Sequence, residues 1–306
     1  QYLSIKKDID REVLQTLKSS NYSLGPKVEL FEDNFKKYCN AKFAIGANSG
    51  TSALHLALDA LDIGKGDEVI VPAMTFVATP MSVSYTGAKP VFVDTFYPSG
   101  LIDFNKIEKK ITSRTKAIIP VHLYGQCANL IEIKRIAKKY KLKIIEDASQ
   151  AHGSSYHNIN VGQISDVATF SFYPGKNLGA YGESGCAITN IKKLNDKIIK
   201  LRNWGQDKKH YHDEISYNYR MDGIQGAILN VKLKKMNEWI SKRRMVAEMY
   251  NKLIDKSLLK SSEDEGNYHV YHIYSVFLKD RDKLQNYLLS KDINTGNHYP
   301  VPCHLQ

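Results

Sequence analysis

Apolar residues recur at four-residue steps near the start of the chain, where Ile5, Ile9, Val13 and Leu17 would share one face of a helix over residues 4–19. Asn21-Tyr-Ser-Leu-Gly-Pro26 interrupts that pattern with turn-forming residues, and a second helix is predicted to carry Val28, Phe31, Phe35 and Tyr38. The spacing then alternates between short apolar runs and helical stretches. Strands are predicted at 43–46, 68–71, 90–94, 117–121 and 143–147, and helices at 52–61, 103–111 and 130–140. Near-continuous apolar strands separated by helices predict an α/β fold, with a mostly parallel sheet covered by helices on both faces. Ligands of such sheets sit beyond the carboxyl ends of the strands, where Asp147 ends one predicted strand and His122 follows another.

A long helical stretch is predicted over residues 221–255, followed by a strand over 269–278 and a helix over 281–290. The chain's 306 residues suffice for a large domain and a small one. The reading is a large domain over 1–221, then a long connecting helix and a smaller α/β C-terminal domain over 222–306.

Hydrophobic residues make up 42% and charged residues 25%, which suits a globular chain, and no run of about 18 apolar residues predicts a membrane span. The first residues are charged and amphipathic rather than a secretory leader, so a cytoplasmic protein is expected. The chain begins at Gln1 rather than Met, so upstream residues are expected to be missing. Cys39, Cys127, Cys186 and Cys303 show neither paired nor zinc spacing, which fits buried thiols in a reducing compartment and no metal. Net charge is +11. It reads either as a lysine-rich surface or as a match to an acidic small molecule such as a diphosphate. Nucleic acid is not expected, because the basic residues are scattered and accompany no recognisable binding module.

Three segments carry candidate chemistry. Ser171-Phe-Tyr-Pro-Gly-Lys176-Asn-Leu-Gly-Ala-Tyr181 puts one lysine in a Gly/Pro-rich loop between apolar strands. It reads as a Schiff-base amine, a solvated loop lysine or a phosphate loop. Asp147, directly after a buried strand, is costly to desolvate unpaired, and reads as a partner for a cationic ring nitrogen, a helix cap, or a metal ligand with His152. Asn48-Ser-Gly-Thr-Ser52 opens a helix, where small and hydroxyl residues suit either a phosphate or an ordinary cap. Together they are more specific. Phosphate turn, acid about a hundred residues later and lysine 29 residues beyond the acid is the order of a fold-type I pyridoxal-phosphate (PLP) enzyme of the aspartate aminotransferase superfamily.

With these segments in place, the chain resembles the DegT/StrS-type sugar-nucleotide aminotransferases nearly end to end. Further markers are Gly66-Asp-Glu-Val-Ile-Val-Pro, Thr75-Phe-Val-Ala-Thr, Pro120-Val-His-Leu-Tyr-Gly-Gln, Glu146-Asp-Ala-Ser-Gln-Ala-His-Gly, Tyr217-Asn-Tyr-Arg-Met-Asp and His298-Tyr-Pro-Val-Pro. The resemblance implies that Lys176 holds PLP and moves the proton, while Asp147 pairs with the ring nitrogen. It implies that Gln150 bonds the ring hydroxyl, Phe76 stacks on the ring, and Thr51, Ser52 and Ser171 hold the phosphate. Asn218 would reach that phosphate from a neighbouring subunit, which implies a homodimer with shared sites, and Tyr181, His298 and Tyr299 would lie near the sugar. The implied reaction moves an amino group from L-glutamate to a nucleotide-linked keto-sugar. The residues around Lys176 resemble enzymes acting at the 3-keto carbon of dTDP-6-deoxyhexoses. Amination at the 4-keto carbon and a PLP-binding regulator without turnover are the alternatives, and a dehydratase is disfavoured because such relatives carry His in place of Lys176. The chain departs from the family pattern at Ser184, Ser216 and Asn297, and it stops at Gln306, where family members continue, so an incomplete small domain is expected.

Overall fold

A computed structural model describes residues 1–306. Helices α1 (Tyr2–Ser19) and α2 (Pro26–Tyr38) lead into strand β1 (Phe43–Ala47) and helix α3 (Gly50–Ala60). Then come β2 (Glu68–Pro72), α4 (Ala78–Tyr85), β3 (Lys89–Val93), α5 (Phe104–Ile107), β4 (Thr115–Ile118), α6 (Leu130–Tyr140) and β5 (Lys143–Asp147). A short hairpin, β6 (Ser155–Tyr156) and β7 (Ile159–Asn160), precedes β8 (Val167–Ser171) and β9 (Gly185–Thr189).

The central sheet has the order β1-β9-β8-β5-β4-β2-β3. Neighbours from β8 through β3 are parallel, and only β9 runs against both of its partners. This is the mostly parallel, helix-covered α/β sheet the apolar runs predict. The carboxyl ends of β1, β2, β4, β5 and β8 therefore share one rim, which the start of β9 joins because it runs the other way. On one face, Phe31 and Phe35 of α2 meet Phe170 and Phe172 edge-to-face, with centroids 5.0–5.3 Å apart, and all four are buried.

The expected helix over 103–111 is shorter: α5 passes at Glu108 into a single 3₁₀ turn. After α7 (Lys192–Arg202) and a small hairpin, β10 (Gln206–Lys208) and β11 (Tyr211–His212), the predicted long helix is two. These are α8 (Gly223–Leu233) and α9 (Met236–Leu253), parted at Lys234 and Lys235. The apolar face of α8 packs on α1 through Ile5, Ile9, Ile228 and Val231. The predicted strand over 269–278 is also not continuous. Only β12 (Leu259–Lys260), β13 (Asn267–Tyr268) and β14 (Val276–Phe277) pair, and β13 pairs with β6 of the first part of the chain. Helix α10 (Arg281–Leu289) follows, and the chain then returns to the rim, where the Cys303 amide donates to the Ala73 carbonyl at 2.9 Å. No helix is long and apolar enough to cross a membrane.

Candidate active site

Asp147 closes β5 at the rim and is almost fully buried. Its neighbour Glu146 points to the opposite face, as period-two geometry requires, and there accepts from the Gly162 amide (3.0 Å) and bonds His122 Nε2 (2.7 Å). His122 Nδ1 accepts from the Ala128 amide, so Nε2 carries the hydrogen toward Glu146. That wholly buried pair lies beside the parallel bridge of Val121 and Asp147, and the carboxylate of Asp147 is left facing the rim. Thr79 Oγ1 donates to its Oδ2 at 2.7 Å and the Ser149 amide to its Oδ1 at 3.1 Å. Thr75 supports Thr79 through a 3.0 Å hydroxyl contact.

Lys176 lies in the loop between β8 and β9, and its Nζ makes neither a hydrogen bond nor an ion pair. Burial holds its ammonium below the usual lysine value, and the nearby Asp147 carboxylate opposes that shift. Two histidines flank it, His152 fully buried and His272 half-buried. Burial pushes His152 down to about 3, with Lys176 adding to the effect, and neither of its ring nitrogens finds a partner. His272 lies well below its ordinary value for the same reasons, and its Nδ1 is 3.4 Å from Asn177 Oδ1. The lysine thus sits partly buried beside two neutral imidazoles, a setting that favours a nucleophilic amine.

Helix α3 meets this rim end-on. Ser49 caps it, accepting from the Ser52 amide at 3.0 Å and lying 2.9 Å from the Ser52 hydroxyl. The amides of Gly50 and Thr51 fall in the first turn, where the helix offers them no carbonyl. The approach to the sheet needs two glycines. A Cβ on Gly50 would lie 2.6 Å from Ser171 Cβ, and one on Gly185 only 2.2 Å from the Ser49 carbonyl oxygen. The departure at Ser184 falls one residue before that tight spot, and its hydroxyl is buried without a partner.

The other expected residues divide. Gln150 Oε1 accepts from the Tyr124 amide (2.7 Å), and its Nε2 donates to the Tyr299 hydroxyl (3.0 Å). Burial pushes that phenol up to about 12. Phe76, half exposed, lies 5.8 Å from the Tyr299 ring. Asp147, Gln150, Lys176, Phe76 and Tyr299 thus gather at one rim, with Thr51, Ser52 and Ser171 at its edge. His298 is exposed nearby, its carbonyl accepting from the Tyr124 hydroxyl. Asn218 is exposed too: its side chain accepts from Arg220 Nε, while its carbonyl faces Asn48 at 3.4 Å. Tyr181 packs elsewhere, with its ring edge-on to Tyr2 of α1 and under Lys232 of α8. No three His, Cys, Asp or Glu side chains cluster as metal ligands would.

Thr79 falls within one of the family markers and His122 follows a predicted strand, but the hold of Thr79 on Asp147 and the pairing of His122 with Glu146 escape the sequence reading. The signal for Thr79 was present, because two threonines four apart share one side of a helical turn. Nothing in the sequence says which acid such a turn would face.

Over residues 3–306 the chain matches the DegT/DnrJ/EryC1/StrS aminotransferase family. It is 43% identical to a protein of Geobacillus stearothermophilus described as a pleiotropic regulatory protein, covering 100% of this chain and 83% of that one. It is 44% identical to the dTDP-3-amino-3,6-dideoxy-alpha-D-galactopyranose transaminase of Aneurinibacillus thermoaerophilus, covering 98% and 83%. The structure superposes with a TM-score of 0.98 on S. venezuelae DesV, solved in complex with a ketimine intermediate, at 39% identity over 100% of this chain and 83% of that one. The sheet, the rim and the near end-to-end match together make this chain a member of the DegT/DnrJ/EryC1/StrS aminotransferase family.

Proposed function

We propose that this protein is a PLP-dependent aminotransferase that moves an amino group from L-glutamate to a nucleotide-linked keto-sugar, with a dTDP-3-keto-6-deoxyhexose as acceptor. The observation that carries this reading is the unpartnered, desolvated amine of Lys176 beside the buried carboxylate of Asp147. The 3-keto choice draws on the 3-amino sugar named for the Aneurinibacillus relative.

The residues suit PLP. A cationic ring nitrogen would meet the Asp147 carboxylate, which already has Thr79 and Ser149 as donors. A phosphate would meet the open first turn of α3 with Thr51, Ser52 and Ser171. Phe76 would stack on the ring and Gln150 would bond its hydroxyl, and Asn218 of a second subunit would complete the phosphate site. When bound, PLP supplies an electron-withdrawing ring and a carbon that carries the amino group between substrates.

The protein's own part is positioning and proton movement. Lys176 Nζ, neutral more readily than a solvated lysine, takes a proton from the donor's α-carbon and returns one to the sugar carbon. Asp147 holds its carboxyl group in place by accepting two hydrogen bonds. Tyr299 and His298 would line the side from which a sugar would enter, and Tyr181 is proposed to contact the nucleotide-sugar from the loop between β8 and β9, where Lys232 of α8 packs on its ring.

The test is spectroscopic. Protein loaded with PLP should be yellow, bleach with L-glutamate alone, and recover colour with the correct keto-sugar nucleotide, whereas Lys176→Ala should do none of this. A panel of 3-keto and 4-keto sugar nucleotides identifies the carbon. Failure to bind PLP, or a colour that no amino donor bleaches, would sink the transaminase reading. The second of these results favours a regulator, the role named for the Geobacillus relative.

A further inference from the structure

Lys232 is the most deeply buried lysine of the molecule, and no carboxylate lies within ion-pair distance of it. An unpaired ammonium inside a protein is costly. Its compensation comes from one carbonyl and two rings. Nζ donates to the Gly179 carbonyl oxygen, and it sits 4.9 Å from the Tyr181 ring centroid and 5.9 Å from that of Trp239. Gly179 and Tyr181 both belong to the limb of the Lys176 loop that leads into β9.

The same face of α8 grips that limb again two turns earlier. Gln225 Oε1 accepts from the Tyr181 amide at 3.0 Å, and its Nε2 reaches back to the Tyr181 carbonyl at 3.4 Å. The loop itself is pinched. A Cβ on Gly179 would lie 2.4 Å from the Pro174 carbonyl oxygen, so Pro174 and Gly179 touch across the base of a small loop that holds Lys176 at its tip. Ala180 and Phe172 close the pair of limbs below with a 2.7 Å hydrogen bond. A hold on Gly179 is therefore a hold on the base from which Lys176 projects.

We propose that Lys232 is a positioning residue: from α8 it fixes the Gly179 carbonyl and the Tyr181 ring, and so sets where the Lys176 amine stands. Its consequence for the reaction rests on Lys176 being the transaminating amine, as argued above. Lys232 makes its Nζ contacts with the loop and with Trp239. It acts through the loop, and displacement of a reacting group by about 1 Å is enough to cost two orders of magnitude in rate.

The test compares Lys232→Met, Lys232→Arg and the unmutated chain. Methionine fills the channel without charge or donor, and arginine restores both. Deuterium exchange of the amides of residues 176–182, measured on cofactor-free protein, should rise at least about fivefold in Lys232→Met, remain near the unmutated rate elsewhere, and recover in Lys232→Arg. In loaded enzyme the same variant should lose about tenfold or more in kcat with KM for L-glutamate changing less than about twofold, and arginine should restore most of it. Unchanged exchange in 176–182, or a kcat within about twofold of the unmutated enzyme, overturns the proposal. Exchange that rises throughout the chain also overturns it, because Lys232 is then a general stabiliser. Should Lys232→Met not accumulate as folded protein, Lys232→Leu, which likewise has neither charge nor donor, takes its place under the same criteria. If the unmutated enzyme shows no transamination, the exchange arm alone decides on Lys232.

Discussion

Asp147 is useful only while it stays ionised and aimed at the rim, and Thr79 is the side chain that aims it, at 2.7 Å. Hydrogen bonds to charged groups are worth about 1.5–3 kcal/mol, so Thr79→Val, which keeps the shape, should weaken PLP binding by roughly ten- to a hundredfold. Titration of PLP into the cofactor-free variant measures this, and unchanged affinity would mean that Asp147 is held by its backbone alone. Lys232 makes a pH prediction. Burial brings its folded value down to about 8, against about 10.4 for an unfolded lysine. Between those values the unfolded chain holds a proton that the folded chain has released, so stability rises with pH across the window. Below it the full cost of the buried charge is present. Lys232→Met removes that cost, so its Tm relative to the unmutated chain should be most favourable near pH 7 and should decline by pH 10. A gap that stays constant over that range would mean Lys232 is not desolvated when folded.

At the scale of elements, the site exists because α3 runs its first turn onto the β8–β9 edge without side chains in the way. Gly185→Ala would drive a Cβ to 2.2 Å from a backbone oxygen that cannot swing aside, whereas around Gly66 a Cβ meets nothing. Gly185→Ala should therefore cost about 3 kcal/mol or more and impair phosphate binding. Gly66→Ala should cost only about 1 kcal/mol, for the positive φ of its turn, and leave binding intact. Denaturant unfolding and PLP titration on both variants separate the two. Much of this was legible in the sequence. The strands 43–47, 68–72, 89–93, 115–118 and 143–147 announce themselves as apolar runs because both of their faces are covered. The order of turn, acid and lysine was legible as well. The break between α8 and α9 was not, because Lys234 and Lys235 are good helix formers, and the chain turns there for tertiary reasons. Nor was the irregular path over 269–275. His269 and Tyr271 are placed by burial and ring stacking, with centroids 3.9 Å apart, rather than by a ladder, and aromatic-rich runs of that kind read as strand. Tyr181 shows the same limit at one residue, since its contact with Lys232 joins positions 51 apart and leaves no local trace.

For the molecule as a whole, the net charge of +11 gains a direction once the proposed ligand is a diphosphate. The KM for the sugar nucleotide should rise with ionic strength more steeply than the KM for glutamate, and parallel responses would return the charge to being merely a basic surface. Asn218 is exposed and its side chain is bonded only to Arg220 two residues on, while its carbonyl accepts from Asn48, just ahead of the turn proposed to take the phosphate. On the proposed shared-site dimer, a subunit's lysine works with the other subunit's asparagine. Lys176→Ala and Asn218→Ala homodimers should then each be impaired, the first completely. In a heterodimer of the two, one site would combine both lesions and the other would carry neither. Random mixing at equal amounts gives heterodimers as half of the population, so unfolding and refolding the mixture should restore about a quarter of the unmutated activity. Recovery on that scale requires two chains at one site. A mixture no more active than the average of its components would confine each site to a single subunit, and Asn218 would then act, if at all, on the Asn48 turn of its own chain.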